Sequence, residues 1–285
     1  MGRDTLCDKG AAEIRDDKYL AWLVASSRGC IGSEMAEQLL DATIHGCKGE
    51  LEIKLGEATF MVPCSQLPEA WANLLHIYCI NDYQVGSLVN IEPGNTVVDG
   101  GAYLGFFTVR AALAMQRDGL VIAVEPNPLA RRALYRNLEL NMLENVARVD
   151  PRALSGCEYC IRKIYVTEPW VNTTTYSYYV DMMGNELVKT LSIPAIGLKK
   201  LLADHGVGFI DLLKLDIEGA EQEVLEHAVE GGVLTPSAVR QVIVEVHPPF
   251  TDPAGIEALL RDQGYKTIRK VLGAKWMQAI VIGVS

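Results

Sequence analysis

From residue 91 onward, short apolar runs alternate with longer segments in which apolar residues recur every three or four positions. The runs predict strands, and the amphipathic segments between them predict helices. The predicted strands are 96–99, 120–125, 146–150, 209–215, 240–246, 265–271 and 278–284. The predicted helices are 105–116, 128–141, 197–204, 219–230 and 254–263. This alternation is typical of an α/β fold, in which helices cover both faces of a parallel sheet.

The last two predicted strands, 265–271 and 278–284, are separated by a short link that contains a glycine. Such a link is too short for the crossover that two parallel neighbours need. We therefore expect a mostly parallel sheet that ends in a C-terminal antiparallel hairpin.

Residues 1–90 show a different pattern. Helical spacing occurs in 11–26, 33–40 and 70–79, and apolar residues alternate in 51–55 and 58–62 across a Gly-Glu turn. Alternation on both sides of a two-residue turn predicts a hairpin. We expect two parts, a mainly helical region at 1–90 and an α/β domain at 91–285. The first part has three candidate roles, which are a cap, an arm that forms a homodimer, and an element that selects the substrate.

Composition and charge narrow the class of partner. Lys and Arg number 26 and Asp and Glu number 36, which gives a formal net charge of −10. Nucleic-acid substrates require a basic surface, so this balance argues against them. The seven cysteines form no repeated framework and predict reduced thiols in the cytoplasm. Neither an apolar signal core nor a run of ~20 apolar residues is present, so we expect no membrane span.

A glycine-rich turn connects the first predicted strand of the α/β domain to its helix. Its spacing differs from the dinucleotide pattern G-x-G-x-x-G, and an acid precedes the glycines, which suits a ligand with a cationic amino acid part. A side chain at position 101 is expected to take the space of the ligand while the chain stays folded. The cofactor-binding residues predicted here are Asp99, Gly100, Gly101, Ala102, Tyr103 and Gly105.

The second strand of this domain ends in Glu125, which is followed by Pro126 and Asn127. A carboxylate at this position can accept hydrogen bonds from both hydroxyl groups of a ribose. We therefore predict that these three residues bind a nucleoside that carries no phosphate. The alternative is a plain α/β turn in which the acids cap helices.

These stretches resemble the motifs of the FkbM family of S-adenosylmethionine-dependent methyltransferases. The turn at 99–105 is similar to D-x-G-A-N-x-G, with Tyr103 in place of the Asn. Residues 124–128 resemble the second motif, 213–221 resemble K-x-D-x-E-G-x-E, and 244–247 resemble a strand that ends in E-x-H. The family often has Tyr-Glu upstream, where this chain has Tyr83 and Gln84. The resemblance covers about 80–285.

The resemblance implies a Rossmann-like seven-stranded sheet and S-adenosylmethionine as the cofactor. It also implies O-methylation of a small-molecule hydroxyl, on a sugar, a natural product or a lipid head group. In this class, the end of the third strand meets the adenine, so Asp150 and Arg152 are assigned to the cofactor.

Acidic and imidazole side chains end the fourth and fifth strands, at Asp216, Glu245 and His247. Ligands bind at the carboxyl ends of parallel strands, so we assign all three to catalysis. Histidine titrates near neutrality and is the predicted base. Asp216 is also assigned to the cofactor, since it can hold either the acceptor hydroxyl or the methionine amine. A metal-free site is predicted, and an ion shared by these three side chains is the alternative.

The long segment 155–195 separates the third and fourth strands and is rich in aromatic and hydroxyl side chains. Segments of this length are often functional, and we predict that Trp170, Asn172 and Thr174 contact the acceptor. The alternative is an edge hairpin with alternating aromatic residues. Glu218 begins a helix, where it contacts the acceptor or caps the helix.

Three other functions compete with a small-molecule methyltransferase. An RNA or protein methyltransferase of the same fold is the main alternative. An oxidoreductase that binds a nucleotide lacks support because G-x-G-x-x-G is missing. A non-catalytic domain would bind the cofactor without turnover.

Overall fold

The computed structural model describes residues 17–272 and 278–285. The strands are β1 (Glu50–Leu55), β2 (Ala58–Pro63), β3 (Thr96–Gly100), β4 (Leu120–Val124), β5 (Ala147–Asp150), β6 (Ala153–Leu154), β7 (Tyr159–Glu168), β8 (Glu186–Ile196), β9 (Ile210–Leu215), β10 (Val239–Val246), β11 (Lys266–Val271) and β12 (Ala279–Val284). The helices are α1 (Asp17–Ser27), α2 (Ser33–His45), α3 (Glu69–Leu74), α4 (Phe106–Ala114), α5 (Pro128–Leu140), α6 (Ser177–Met183), α7 (Leu198–His205), α8 (Glu221–Glu230) and α9 (Pro253–Asp262). Short 3₁₀ or π turns occur at Cys64–Gln66, Leu75–Ile80 and Trp170–Asn172.

The central sheet has seven strands in the order β11-β12-β10-β9-β3-β4-β5. Among the described strands of this sheet, the two pairs that include β12 are antiparallel, and the remaining pairs are parallel. The predicted α/β fold with a C-terminal hairpin is therefore confirmed. The link inside that hairpin includes 273–277, and the predicted first helix includes 11–16, which lie outside the described residues.

Side chains that alternate along the strands pack into two separate hydrophobic cores, one on each face of the sheet. Val97 packs in the core that contains α4 and α5, while its neighbour Val98 packs in the core that contains α7, α8 and α9. Both valines are fully buried, because successive side chains of a strand point to opposite faces. Helices on both faces explain why these strands are continuous apolar runs.

The N-terminal elements α1 to α3 and the hairpin β1–β2 share the core of α4 and α5. Phe60 of the hairpin packs edge-on against Phe106 of α4, with ring centroids 5.0 Å apart. The backbone N–H of Met61 donates to the side-chain oxygen of Asn137 on α5 at 2.8 Å. The predicted helices and hairpin of this region are present. A domain boundary at residue 90 and a homodimer formed through this region stay predictions.

The segment 155–195 forms a sheet of its own. Strands β7 and β8 pair antiparallel, and β8 also pairs with β6, so the order is β6-β8-β7. The hairpin interpretation is thus confirmed, with the difference that the hairpin does not extend the central sheet. The connection between β7 and β8 carries the turn Trp170–Asn172 and α6.

Three disulfide bonds correct the prediction of reduced thiols. They join Cys30 to Cys79, Cys47 to Cys64 and Cys157 to Cys160, with Cα atoms 5.6, 5.5 and 6.3 Å apart. Two of them connect residues that are 49 and 17 positions apart in sequence, and no spacing pattern indicated these pairings. Pairing of β1 with β2 brings Cys47 near Cys64, and packing of α1 against the Leu75–Ile80 turn brings Cys30 near Cys79. Cys7 lies outside the described residues.

Candidate active site

The turn after β3 passes so close to the end of β9 that Gly101 has no room for a side chain. Its φ is +77°, and a Cβ atom placed there would lie 1.8 Å from the carbonyl oxygen of Asp216. The N–H groups of Gly101 and Ala102 both donate to the carbonyl of Val124 at 3.0 Å. This turn therefore joins the carboxyl ends of β3, β4 and β9 at one point.

Glu125 follows β4 and is held by two backbone donors. Its Oε2 accepts from the N–H of Tyr103 at 2.7 Å, and its Oε1 accepts from the N–H of Asn127 at 2.8 Å. Burial raises the pKa of Glu125 to about 7, although these hydrogen bonds act to lower it. Each carboxylate oxygen keeps a further lone pair for a ligand.

A cavity lies beside this turn. Its wall includes nine of the predicted site residues: Gly101, Ala102, Tyr103, Glu125, Pro126, Trp170, Thr174, Asp216 and Glu218. The lining combines apolar and aromatic side chains with polar groups, as small-molecule sites do.

Lys214 is a buried lysine near the carboxyl end of β9, and the sequence reasoning gave it no role. Its Nζ lies 3.1 Å from Oδ1 of Asp99 and 3.4 Å from Oδ2 of Asp216, and it donates to the carbonyl of Gly101 at 2.9 Å. Burial acts to lower the pKa of Lys214, but the two carboxylates raise it above its ordinary value. The signal that could have identified it is a single lysine within the apolar run 212–215, because a buried charge needs a partner.

Asp99 therefore contacts other protein groups and is not one of the described residues that line the cavity. Its Oδ2 accepts from the hydroxyl of Thr108 on α4 at 2.6 Å, and its other oxygen faces Lys214. Burial raises the pKa of Asp99, and Lys214 acts to lower it. The structure thus gives Asp99 a positioning role, through Lys214 and the carbonyl of Gly101.

His247 lies behind the cavity wall within a group of carboxylates. Its Nδ1 is 2.8 Å from Oε1 of Glu221, and its Nε2 is 3.7 Å from Oδ1 of Asp216 and 3.6 Å from Oε2 of Glu218. Burial acts to lower the pKa of His247, but Glu218 and Glu221 raise it well above its ordinary value. His247 is not among the described residues that line the cavity, so its predicted role as the base stays a prediction.

Glu245 contacts Tyr83 instead of the cavity. The Tyr83 hydroxyl lies 2.8 Å from Oε2 of Glu245 and 3.2 Å from Oδ2 of Asp216. Burial and the neighbouring Asp216 raise the pKa of Glu245 to about 7. Of the three residues assigned to catalysis, Asp216 is the one on the cavity wall.

Asp150 and Arg152 pair with each other away from the cavity wall. The guanidinium of Arg152 contacts Asp150 at 2.6 Å and Asp204 at 2.7 Å. His205 of α7 also contacts Asp150 at 3.0 Å. The assignment of this pair to the adenine therefore lacks support in the geometry, because both side chains are engaged in tying β5 to α7.

The remaining predicted residues support the site from outside the wall. Gly100 and Gly105 are close to Leu215 and Leu134, at 2.9 and 2.6 Å from an added Cβ atom. Asn127 caps α5, and the side chain of Asn172 donates to Asn185 at 3.2 Å. Sequence reasoning missed several wall residues, since apolar and hydroxyl side chains carry no distinctive motif: Ile77, Phe107, Leu154, Val171, Thr173 and Thr175.

Residues 99–267 match a family described as the Methyltransferase FkbM domain. The chain belongs to the FkbM methyltransferase family. The match includes the glycine turn, Glu125, Lys214, Asp216 and the acidic group around His247. Membership implies S-adenosylmethionine as the cofactor.

Two curated relatives match most of their own length. The chain is 30% identical over 208 residues to methyltransferase sdnD of Sordaria araneosa, covering 64% of this chain and 78% of that protein. It is 28% identical over 204 residues to the 31-O-demethyl-FK506 methyltransferase FkbM of Streptomyces tacrolimicus, covering 63% and 76%. Among solved structures, methyltransferase FkbM of Methylobacillus flagellatus KT has a TM-score of 0.48 and 13% identity, over 76% of this chain and 54% of that one.

Proposed function

We propose that this family member transfers a methyl group from S-adenosylmethionine to a hydroxyl group of a small molecule. The observation that carries the proposal is the composition of one cavity wall. It joins the glycine turn and Glu125 to the carboxylates of Asp216 and Glu218 and to the aromatic and hydroxyl side chains of 170–175. A donor and an acceptor can therefore lie side by side in it.

The cofactor side of the cavity fits a nucleoside. Glu125 offers carboxylate lone pairs to the ribose hydroxyl groups, and the absence of a side chain at Gly101 lets a ligand approach the backbone. When bound, S-adenosylmethionine supplies a methyl group whose bond to sulfur breaks as a bond to the acceptor oxygen forms. Asp216 lies between the two sides and carries the charge that a methionine amine or an acceptor hydroxyl would meet.

The acceptor side begins at Trp170 and ends at Glu218. The hydroxyl of Thr174 donates to the carbonyl of Glu218 at 2.7 Å, which fixes the 170–175 segment against the acidic wall. An alcohol must lose its proton as the methyl group arrives. Asp216 and Glu218 are the carboxylates on this side of the wall that can accept the proton.

A small molecule is favoured over RNA or protein as the acceptor. The formal net charge of −10 and the carboxylates at the cavity disfavour a phosphate backbone. One relative is named a 31-O-demethyl-FK506 methyltransferase, a name that specifies methylation of an oxygen. That name supports the choice of an oxygen as the methylated atom in this chain.

We expect the pH dependence of cofactor affinity to report on Glu125. The ionised carboxylate accepts hydrogen bonds from a ribose, and its pKa is about 7, so affinity should fall as the pH falls. If only the ionised form binds, the loss is about tenfold between pH 8 and pH 6. Calorimetry with S-adenosylmethionine at several pH values measures this loss of affinity.

In the control variant Glu125→Gln, cofactor affinity should be lower at pH 8 and should not depend on pH in this way. An identical pH profile in both proteins would remove Glu125 from the cofactor site.

The proposed reaction is tested with methyl-labelled S-adenosylmethionine and separate panels of hydroxylated small molecules, RNA and protein. We expect label on an oxygen of a small molecule, identified by mass spectrometry. Asp216→Asn should lower turnover by about 10²–10⁴-fold. The exposed Asp118 provides the control variant Asp118→Asn, which should keep full activity. Transfer only to RNA or protein would contradict the proposal.

No helix among the described residues is long and apolar enough to cross a membrane. The predicted cytoplasmic location rested on reduced thiols, and the three disulfide bonds remove that basis because such bonds are typical of oxidising compartments.

A further inference from the structure

Three potential ligand atoms converge where the acidic wall meets His247. The ligand atoms of Asp216, Glu218 and His247 all lie within 4.8 Å of one another. Metal bonds of about 2.0–2.2 Å place neighbouring ligand atoms roughly 3–4 Å apart. The separations of 3.7 and 3.6 Å from Nε2 of His247 to the oxygens of Asp216 and Glu218 fall in this range.

The same separations are too long for hydrogen bonds. Glu218 has a side-chain hydrogen bond with Tyr179, which leaves one carboxylate oxygen without a partner. Its Oε2 is buried and has no hydrogen-bond partner among the described residues, and the residue is 8% exposed. A buried carboxylate oxygen without a partner is costly, and a bound cation removes that cost. This atom is the one that faces Nε2 of His247.

The second nitrogen of the imidazole is already held by a fixed carboxylate. Nδ1 of His247 lies 2.8 Å from Oε1 of Glu221, and that oxygen also accepts from the N–H groups of Ile217 and Gly219 at 3.1 Å. Histidine ligands of metals commonly donate their other N–H to a carboxylate, which directs the free lone pair at the ion. With the proton on Nδ1, Nε2 becomes the ligand.

Formal charge in this region is also unbalanced. Four carboxyl side chains share two cationic neighbours: Lys214 lies beside Asp99 and Asp216, and His247 lies beside Glu218 and Glu221. Such an excess of negative charge in a largely buried place favours binding of a divalent cation.

We propose that Asp216, Glu218 and His247 bind one divalent cation, with Glu221 as the residue that positions the imidazole. The ligand set differs from the alternative drawn from the sequence, because Glu245 is turned toward Tyr83 and Glu218 takes its place. Asp216 and Glu218 also line the cavity. A cation there can contact the acceptor hydroxyl and lower its pKa, a role that rests on the proposed function, whereas binding of the ion does not.

Calorimetry with MnCl₂ alone, on chelator-treated protein, tests the site. We expect one Mn²⁺ per chain. Glu218→Gln and His247→Gln should each weaken binding at least tenfold, and Glu221→Gln should weaken it by about 10–100-fold. The matched control is Glu223→Gln on the same helix, whose carboxylate contacts Arg162 and the N–H of Gly156 and which should bind Mn²⁺ normally.

The outcomes separate this site from the proposed function. Binding of S-adenosylmethionine in the presence of chelator is measured in parallel. Cofactor binding without any Mn²⁺ binding would overturn the cation site and leave the methyltransferase proposal intact. Wild-type Mn²⁺ affinity in folded Glu218→Gln would also overturn it. If the variants do not fold, the electron spin echo of Mn²⁺ on the wild-type protein decides, since a histidine ligand requires coupling to nitrogen and its absence refutes the site.

Discussion

Replacing Lys214 with methionine is expected to lower the free energy of unfolding by about 3–5 kcal/mol, since it leaves buried carboxylates without their positive partner. Asp99 is fully buried, and Lys214 provides the ammonium group 3.1 Å from its Oδ1. Methionine fills a similar volume, so loss of packing contributes little. The hydrogen bond to the carbonyl of Gly101 is lost as well, and cofactor affinity should fall in parallel.

Urea denaturation of the wild-type and variant proteins measures this change. The control is Lys200→Met, which removes a partly exposed partner of Asp204 and should change the stability far less than Lys214→Met does. The double variant Lys214→Met, Asp99→Asn should recover part of the stability, because the unpaired charge of Asp99 is then gone. Equal stability of Lys214→Met and Lys200→Met would show that the buried ion pair does not support the fold.

Replacing Gly101 with alanine is expected to remove measurable cofactor binding and to destabilise the chain. The backbone at φ +77° imposes a strain of about 1–3 kcal/mol on a residue with a side chain. The Cβ atom would also meet the carbonyl oxygen of Asp216 at 1.8 Å and its carbon at 2.8 Å. Backbone atoms cannot move aside alone, so β3 and β9 must separate where the cavity begins.

Gly94→Ala is the matched control, because Gly94 has a φ of +84° and nothing within 4 Å of an added Cβ atom. It carries the backbone strain without the clash, so the difference between the two variants measures the close approach at Gly101. Thermal unfolding and calorimetry with S-adenosylmethionine give the two readouts. If Gly101→Ala binds cofactor as tightly as Gly94→Ala, the glycine turn is not the cofactor site. The sequence predicted that the chain would stay folded with a side chain at position 101. The structure revises this expectation, because the carbonyl oxygen of Asp216 occupies that space.

Much of the α/β fold could be predicted because strand and helix patterns are local. The run 209–215 and the amphipathic segment 219–230 correspond to β9 and α8 within two residues at each end. Motif order also indicated the family, which the match over 99–267 establishes. The ends of parallel strands lie at one edge of a sheet, so the neighbourhood of Gly101, Glu125 and Asp216 followed from the order of elements.

Local pattern alone determined the strands, the helices, the glycine turn and the acids at the strand ends, because periodicity and turn chemistry depend on neighbouring residues. The tertiary structure decided which way each acid faces and what it contacts. It turned Asp99 toward Lys214 and Glu245 toward Tyr83, and it enclosed His247 among carboxylates. It also paired cysteines from separate elements. These contacts join residues distant in sequence, and their partners depend on packing that no local spacing encodes.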